Sequence, residues 1–572
     1  MTRRVPPLPL GAGQPYSRGL MDFFRRSILL LAPFSIAALS ASDTVLVNGH
    51  VYTANQKKPW AAAVAVTKDT IDAVGSNEEI AHYRTANTRV IDLQGRTVIP
   101  GITDGHVHLW FGALALHGFN LSTAEFNITA KDTDLMVSKI KSYAATHPKD
   151  PIVFGRLQFI TDYTEDASAF TRPTLSHEIL DRAVPDRPLV IHETSEHALW
   201  VNQKTLDLAH ISDRPWPDPV LEANILRDPQ GHPTGVLMES AAEIVERALP
   251  DPPEKLKFEW LSAAQRYLNS FGITSATMAT GSLADIELYG RMRDRGLLTL
   301  RTRTSFGAVA VNHHLTPQFL AALEKARTNY HDSWVSANLV KFFSDGLADP
   351  PLYRPEEFKK IVVELDKRGY QIMSHSIGFD SARMVLDAYQ AAEQINGPRD
   401  RRFRMEHADF LNPEDVSRFS NLSVIASVQP SFCCTPAESK GKKIDVWNSL
   451  LKTGAMVAFS SDWPGTWPPS PFAGMQEALT REITREVTPE GPVGEVKFGK
   501  QDERITIEQA VLAYTRDAAY ANFAENRTGT LEPGKLADLA VLSRDIFTAR
   551  PEDVGKTKVT MTMVGGKIVF EP

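Results

Sequence analysis

Val98-Ile99-Pro100-Gly101-Ile102-Thr103-Asp104-Gly105-His106-Val107-His108 opens on apolar residues and closes on two histidines one residue apart. The apolar run predicts a buried strand, and we take the whole candidate as Thr97 to His108. In an extended chain, residues two apart face the same way, so both imidazoles can leave the strand end together and share one cation. A His-x-His pair by itself also fits two solvated histidines. The rest of the chain decides between these readings.

Downstream, strand candidates that end in polar residues recur at Gly272 to Ala279, Thr299 to Phe306, Asn338 to Asp345, Tyr370 to His375, Phe403 to His407, Ser423 to Gln429 and Ala455 to Asp462. With the first, they make the set that a closed (β/α)8 barrel needs, and the later ones are spaced about one strand-helix unit apart. The fold class expected is α/β, a TIM-like barrel. A long stretch from Trp110 to Phe271, with strands of its own at Ile152 to Arg156 and Leu189 to Glu193, reads as an insertion over the barrel mouth. Short alternating strands fill both flanks: Thr44 to Val47, His50 to Thr53, Ala61 to Thr67 and Thr70 to Val74 at one end, Asp538 to Ser543, Val559 to Val564 and Lys567 to Phe570 at the other. They predict one small β domain completed by both ends of the chain. The expected divisions are a leader over 1–42, the first part of the small domain over 43–101, the barrel over 102–525 with its insertion at about 110–271, and the second part of the small domain over 526–572.

The bulk numbers narrow the function. At 572 residues the chain can bury a large core and still carry a smaller unit. A net charge of −7 gives no basic excess for nucleic acid, so the expected partner is a small molecule. The 2 cysteines, Cys433 and Cys434, are adjacent and have no metal-binding spacing, so any cation must be held by histidine and carboxylate. Arg25 and Arg26 precede an apolar stretch from Ile28 to Leu39 and the small residues Ser40, Ala41 and Ser42. That is the pattern of a removable signal peptide, too short for a permanent span, so an exported protein with no stable membrane span is expected. The arginine pair also suits a twin-arginine signal. A homodimer is an open expectation.

Four more candidates stand at predicted strand ends, where such barrels place their chemistry: Lys341, His375, His407 and Asp462. A lone strand-end histidine is more often a satisfied core residue, and a lone aspartate is usually a cap. Ligand types at several consecutive strand ends are hard to explain that way.

His106-x-His108, Lys341 in Lys-Phe-Phe-Ser-Asp-Gly, His375, His407 and Asp462 resemble the metal set of the amidohydrolase superfamily. Glu196-His197-Ala198-Leu199-Trp200-Val201-Asn202, Gly235-Val236-Leu237-Met238-Glu239, Ser427-Val428-Gln429-Pro430 and Gly529 to Asp538 narrow the resemblance to its family 3, with the YtcJ-like hydrolases and the N-substituted formamide deformylases. The resemblance runs from Asp43 to Phe570 and implies a barrel with a β-sandwich formed from both termini. It implies that His106, His108 and Asp462 hold a buried metal, that His375 and His407 hold a second, and that Lys341 bridges them once CO2 has made it a carbamate. An ammonium has no lone pair to give. If Lys341 stays an amine, its role is an ion pair in the barrel interior, with Asp345 as one partner, and the site is mononuclear.

One or two divalent ions, zinc by default with iron, manganese or cobalt as alternatives, would bring a water's pKa toward neutrality. Asp462 is the candidate catalytic residue, taking the water's proton and returning it to a leaving nitrogen. The expected activity is hydrolysis of an amide, formamide or cyclic amide C–N bond in a small molecule. A mononuclear deaminase, an esterase and a non-catalytic binding barrel are the competing readings. His197 and Glu239 are candidate substrate-binding residues. The sequence departs from the family at Phe379 after Ser376-Ile377-Gly378, at Gly155-Arg156-Leu157, and at Phe432, where a histidine often stands. These departures put the substrate in question more than the metal.

Overall fold

Eight parallel strands follow one another in chain order around a single sheet: β1 (Ile102–Val107), β2 (Ile273–Met278), β3 (Arg301–Gly307), β4 (Val335–Phe343), β5 (Gln371–Ser376), β6 (Arg404–His407), β7 (Ile425–Val428) and β8 (Val457–Phe459). This is a computed structural model. It describes residues 42–572 apart from 122–132, 158–161, 164–169, 172–174, 194–196, 308–314, 347–350, 433–444, 483–486, 489–490 and 493–500. The expected signal segment, Cys433 and Cys434 therefore lie outside the described residues.

The strands are short apolar runs buried on both faces, as a parallel sheet wrapped by helices requires. The intervening helices start where the sequence supplies a cap. Ser282 caps Leu283–Asp294 in a capping box, Thr316 caps Pro317–Asn329, and proline stands in the first turn of Pro355–Lys367 and Pro413–Asn421. Between β8 and β1 the ring is closed by a parallel bridge from Val107 to Trp463. The amide of Asp462 donates to His106 O at 2.8 Å, and that of His108 donates to Trp463 O at 2.8 Å. The expected TIM-like barrel is therefore present.

The expectation of one strand from Thr97 to His108 needs correction. Thr97–Pro100 belongs to a six-stranded sheet, pairing with Leu539–Leu542 and His50–Tyr52, and the chain enters the barrel only at Ile102. Gly101 makes the transfer; a Cβ there would lie 2.3 Å from Thr274 Oγ1. Both halves are apolar and buried, so the hydrophobic pattern runs through the break without registering it.

The six-stranded sheet takes three strands from each end of the chain. With a four-stranded sheet from the first end it encloses Leu46, Val51, Val64, Val98, Leu539, Val541 and Met561. This is the sandwich that both termini complete. Arg301 on β3 joins it to the barrel through a buried two-pronged pair with Asp538, Nε to Oδ2 at 2.7 Å and Nη2 to Oδ1 at 3.0 Å.

The insertion builds a second six-stranded sheet whose central strands are Val153–Leu157, Leu189–Glu193, Ala198–Val201 and Pro233–Met238. Phe154 and Val190 join the main barrel core, while Val153, Leu157, Leu189 and Ile191 form a separate core behind it. Helices Leu109–His117 and Glu254–Asn269, at the two ends of the insertion, pack on each other beside the barrel.

Candidate functional site

The C-terminal ends of the barrel strands converge on one buried cluster. His106 lies in β1 and His108 follows it as the N-cap position of Leu109–His117. Asp462 stands three residues past β8, in the left-handed region at φ 57°. His106 Nε2 and His108 Nε2 lie 3.4 and 3.2 Å from Asp462 Oδ1, and ligand atoms of the three residues all fall within 4.8 Å of one another.

The other candidates surround this trio. Lys341 Nζ, on β4, is 3.5 Å from His106 Nε2. The ring of His407 is 5.3 Å from that of His106, and the ring of His375 is 4.4 Å from that of His407. His197 arrives from the insertion and sets its ring edge-on to His375 at 5.7 Å. Glu239 is the first residue of helix Glu239–Ala248, and its side chain lies outside the described residues. The backbone still places it near His197, because Ala198 and Met238 are opposite partners on adjacent strands.

Burial governs the charge state. It is the largest influence pulling the imidazoles down, His106 to about 4 and His407 to about 3, with the Lys341 charge adding to the effect. His375 is held well below the usual histidine range by burial and by its neighbour His407. Burial likewise brings the Lys341 amine down to about 8. Burial alone would raise Asp462, but His106 and His108 reverse it and keep its carboxyl well below the usual range. The centre thus offers the neutral imidazoles of His106, His375 and His407, an ionised carboxylate and an amine that sheds its proton at about pH 8.

A divalent cation fits this donor set. His407 Nδ1 is buried and finds no hydrogen-bond partner among the described residues, a costly state for an isolated imidazole and the ordinary state of a ligand awaiting a cation. His375 Nε2 is held by Gly346 O at 2.9 Å. Asp345, the partner expected for an unmodified Lys341, accepts the amides of Ile377 and Gly378 at 2.9 and 2.7 Å, fixing the turn after β5, lies 3.5 Å from His375 Nε2, and acts on Lys341 by charge.

Three residues that the sequence did not single out support the trio. Glu406, fully buried on β6, accepts from His106 Nδ1 at 2.7 Å, and Arg404 pairs with the same carboxylate through two hydrogen bonds. Burial opposes ionisation of Glu406, but the Arg404 charge and the His106 contact bring it down to about 2. Its only sequence signal was its place beside His407 in Arg-Met-Glu-His-Ala. Asp104 accepts the amide of Ser461 at 2.9 Å, tying β1 to the segment that presents Asp462.

Two of the three departures from the family, at Phe432 and Arg156, lie beside the centre or the loop after Asp462. The ring of Phe432 is 6.4 Å from that of His407. Arg156 donates to Pro464 O at 3.0 Å and lies 4.8 Å over the Trp467 ring, linking the insertion to the loop after Asp462. Phe111 bridges the rings of His108 and His192 at 6.0 and 5.2 Å.

The profile of the amidohydrolase family matches residues 89–570, and the chain belongs to that family, a class of hydrolases that use divalent metal. It is similar to the LONG AFTER FAR-RED 3 protein of Arabidopsis thaliana, 27% identical, the match covering 96% of this chain and 95% of the relative. It is similar as well to the N-substituted formamide deformylase of Arthrobacter pascens, 25% identical over 92% of this chain and 98% of that enzyme. In fold it matches a metal-dependent hydrolase of Pyrococcus furiosus with a TM-score of 0.66 at 21% identity, covering 88% of this chain and all of the other.

Proposed function

We propose that this protein hydrolyses a non-peptide C–N bond, in an amide, formamide or cyclic amide, of a small molecule. The observation that carries the proposal is the convergence of His106, His108 and Asp462 within 4.8 Å at the mouth of the barrel, with His106 held neutral by burial beside an ionised Asp462 carboxylate. His106, His108 and Asp462 hold one cation, zinc by the chemistry of the donors, and His375 and His407 hold a second. Lys341 would join the ligand set as a carbamate; burial brings its ammonium down to about 8, which enlarges the share present as the free amine that CO2 requires. When bound, the cation lowers the pKa of water toward neutrality. Asp462 accepts the proton of the attacking water and delivers it to the departing nitrogen. His197 and Glu239 contact the substrate from the insertion. Similarity to a formamide deformylase supports the bond type. We also place the mature protein outside the cytoplasm, on the Arg25-Arg26 leader.

Purified protein lacking the leader is assayed for bound metal and for turnover of N-formyl, N-acyl, cyclic amide and ester substrates. Hydrolysis of one amide class, lost on chelation and restored by zinc, is expected. Turnover that survives both chelation and His106→Ala overturns the proposal.

A further inference from the structure

The Arg404–Glu406 pair lies wholly inside the barrel, with both side chains 0% exposed. As a contribution to stability such a pair is a poor choice. Removing two charges from water carries a large desolvation penalty, and apolar residues of similar volume commonly serve a core as well or better. Its geometry is directed elsewhere. A carboxylate can only accept, so at 2.7 Å Glu406 Oε2 requires the proton of His106 to sit on Nδ1, which leaves the lone pair on Nε2. Nε2 is the atom that faces Asp462 Oδ1 and Lys341 Nζ.

Arg404 holds the same histidine from a second side. Its Nη2 donates to Gly105 O at 2.6 Å, the carbonyl immediately before His106, while Nε and Nη2 hold the two oxygens of Glu406 at 2.8 and 3.0 Å. The guanidinium is fixed in turn by Ser427 Oγ at 2.8 Å and Asn522 Oδ1 at 3.4 Å. One planar group thereby sets both the backbone that carries His106 and the acceptor that orients its ring.

We propose that Arg404 and Glu406 are positioning residues for the metal site, a buried ion pair that fixes the tautomer and direction of His106 so that Nε2 is presented to the cation. The inference rests on the metal reading above. It predicts that the pair matters to cation binding more than to the fold.

The test uses the full chain without its leader, in wild type, Glu406→Gln, the double variant Arg404→Met with Glu406→Met, and His106→Ala. Zinc affinity is measured by chelator competition, the visible absorption of the cobalt(II)-loaded protein is recorded, and unfolding of the metal-free protein is followed by circular dichroism. Glu406→Gln keeps the shape and a neutral acceptor, so it should weaken zinc by about 10-fold and shift the cobalt(II) bands. The double variant removes charge and acceptor together, so it should weaken zinc by about 100-fold while the metal-free protein unfolds near the wild-type temperature. The reverse pattern, early unfolding of the metal-free variants with wild-type zinc affinity and cobalt(II) spectrum in the folded fraction, overturns this inference alone. Wild type and His106→Ala with equal zinc stoichiometry overturn it together with the metal reading.

Discussion

The amide of Asp462 donates to the carbonyl of His106 at 2.8 Å, so the bond that closes the barrel between its last and first strands also sets the separation of two proposed ligands. The two side chains meet at 3.4 Å because their backbones are already paired. Pre-set geometry of this kind spares the site the ordering cost of assembling ligands one by one.

Asp462→Asn separates the backbone contribution from that of the charge. The amide bond to His106 is retained, so the metal-free variant should fold with a near-unchanged melting temperature. The ionised acceptor is lost, and kcat should fall by at least about 100-fold with weaker metal retention. Steady-state kinetics and metal analysis on the same preparation provide the check.

His197 touches the cluster through His375 but belongs to the insertion. His197→Ala should leave metal content at the wild-type level and lower kcat/KM by about 10-fold, the scale of one lost polar contact. A fall in metal content would instead make His197 part of the metal site.

Much of this was legible in the sequence, and the exceptions have a common cause. His106 and His108 could be paired from spacing alone because a strand alternates with a period of two. The same rule concealed Glu406. Neighbours on a strand should face opposite ways, yet both Glu406 and His407 reach the interior cluster, since His407 takes φ 66° and breaks the alternation. Asp462, three residues past its strand, also takes a left-handed conformation, at φ 57°. Such conformations cost a non-glycine residue on the order of 1–3 kcal/mol and leave no mark in composition. The break at Gly101 was hidden for another reason, because burial is continuous across it.

Acid should draw stability from the buried imidazoles of the metal-free protein. His106 and His407 titrate at about 4 and about 3 in the folded chain, against roughly 6.5 when unfolded. Between those limits the unfolded state binds more protons, so these residues cost the fold stability as pH falls from about 6.5 toward 4. His375, also held down, adds to this loss, while Asp104, raised to about 7 by burial, and Asp409 and Asp517, raised likewise, oppose it with protons held by the folded state. The imidazole part is therefore read by difference: His407→Gln should lose less of its stability than wild type between about pH 6.5 and about pH 5. Urea midpoints of both chelator-treated proteins at the two pH values measure it, and an equal or larger loss in the variant would contradict the assignment.

Arg301→Met leaves Asp538 buried beside Gly565 N without its cationic partner. Loss of one member of a buried pair costs about 3–5 kcal/mol, so the melting temperature should drop clearly. The pair lies away from the metal cluster, so the fraction that stays folded should keep its metal. Calorimetry followed by metal analysis separates the two effects.

The sandwich carries a consequence for the order of events at birth. Strand Thr97–Pro100 finds one neighbour in His50–Tyr52, but its other edge is covered only when Val98 meets Val541. Ribosomes deliver chains from the first residue onward, so this apolar edge waits through synthesis of the entire barrel before its partner emerges. During that interval it is an adhesive surface for other chains, and a prematurely terminated product would keep it permanently. The last strands thus act as a completion seal: aggregation should track truncation near the C-terminal end more steeply than their small share of the core would suggest.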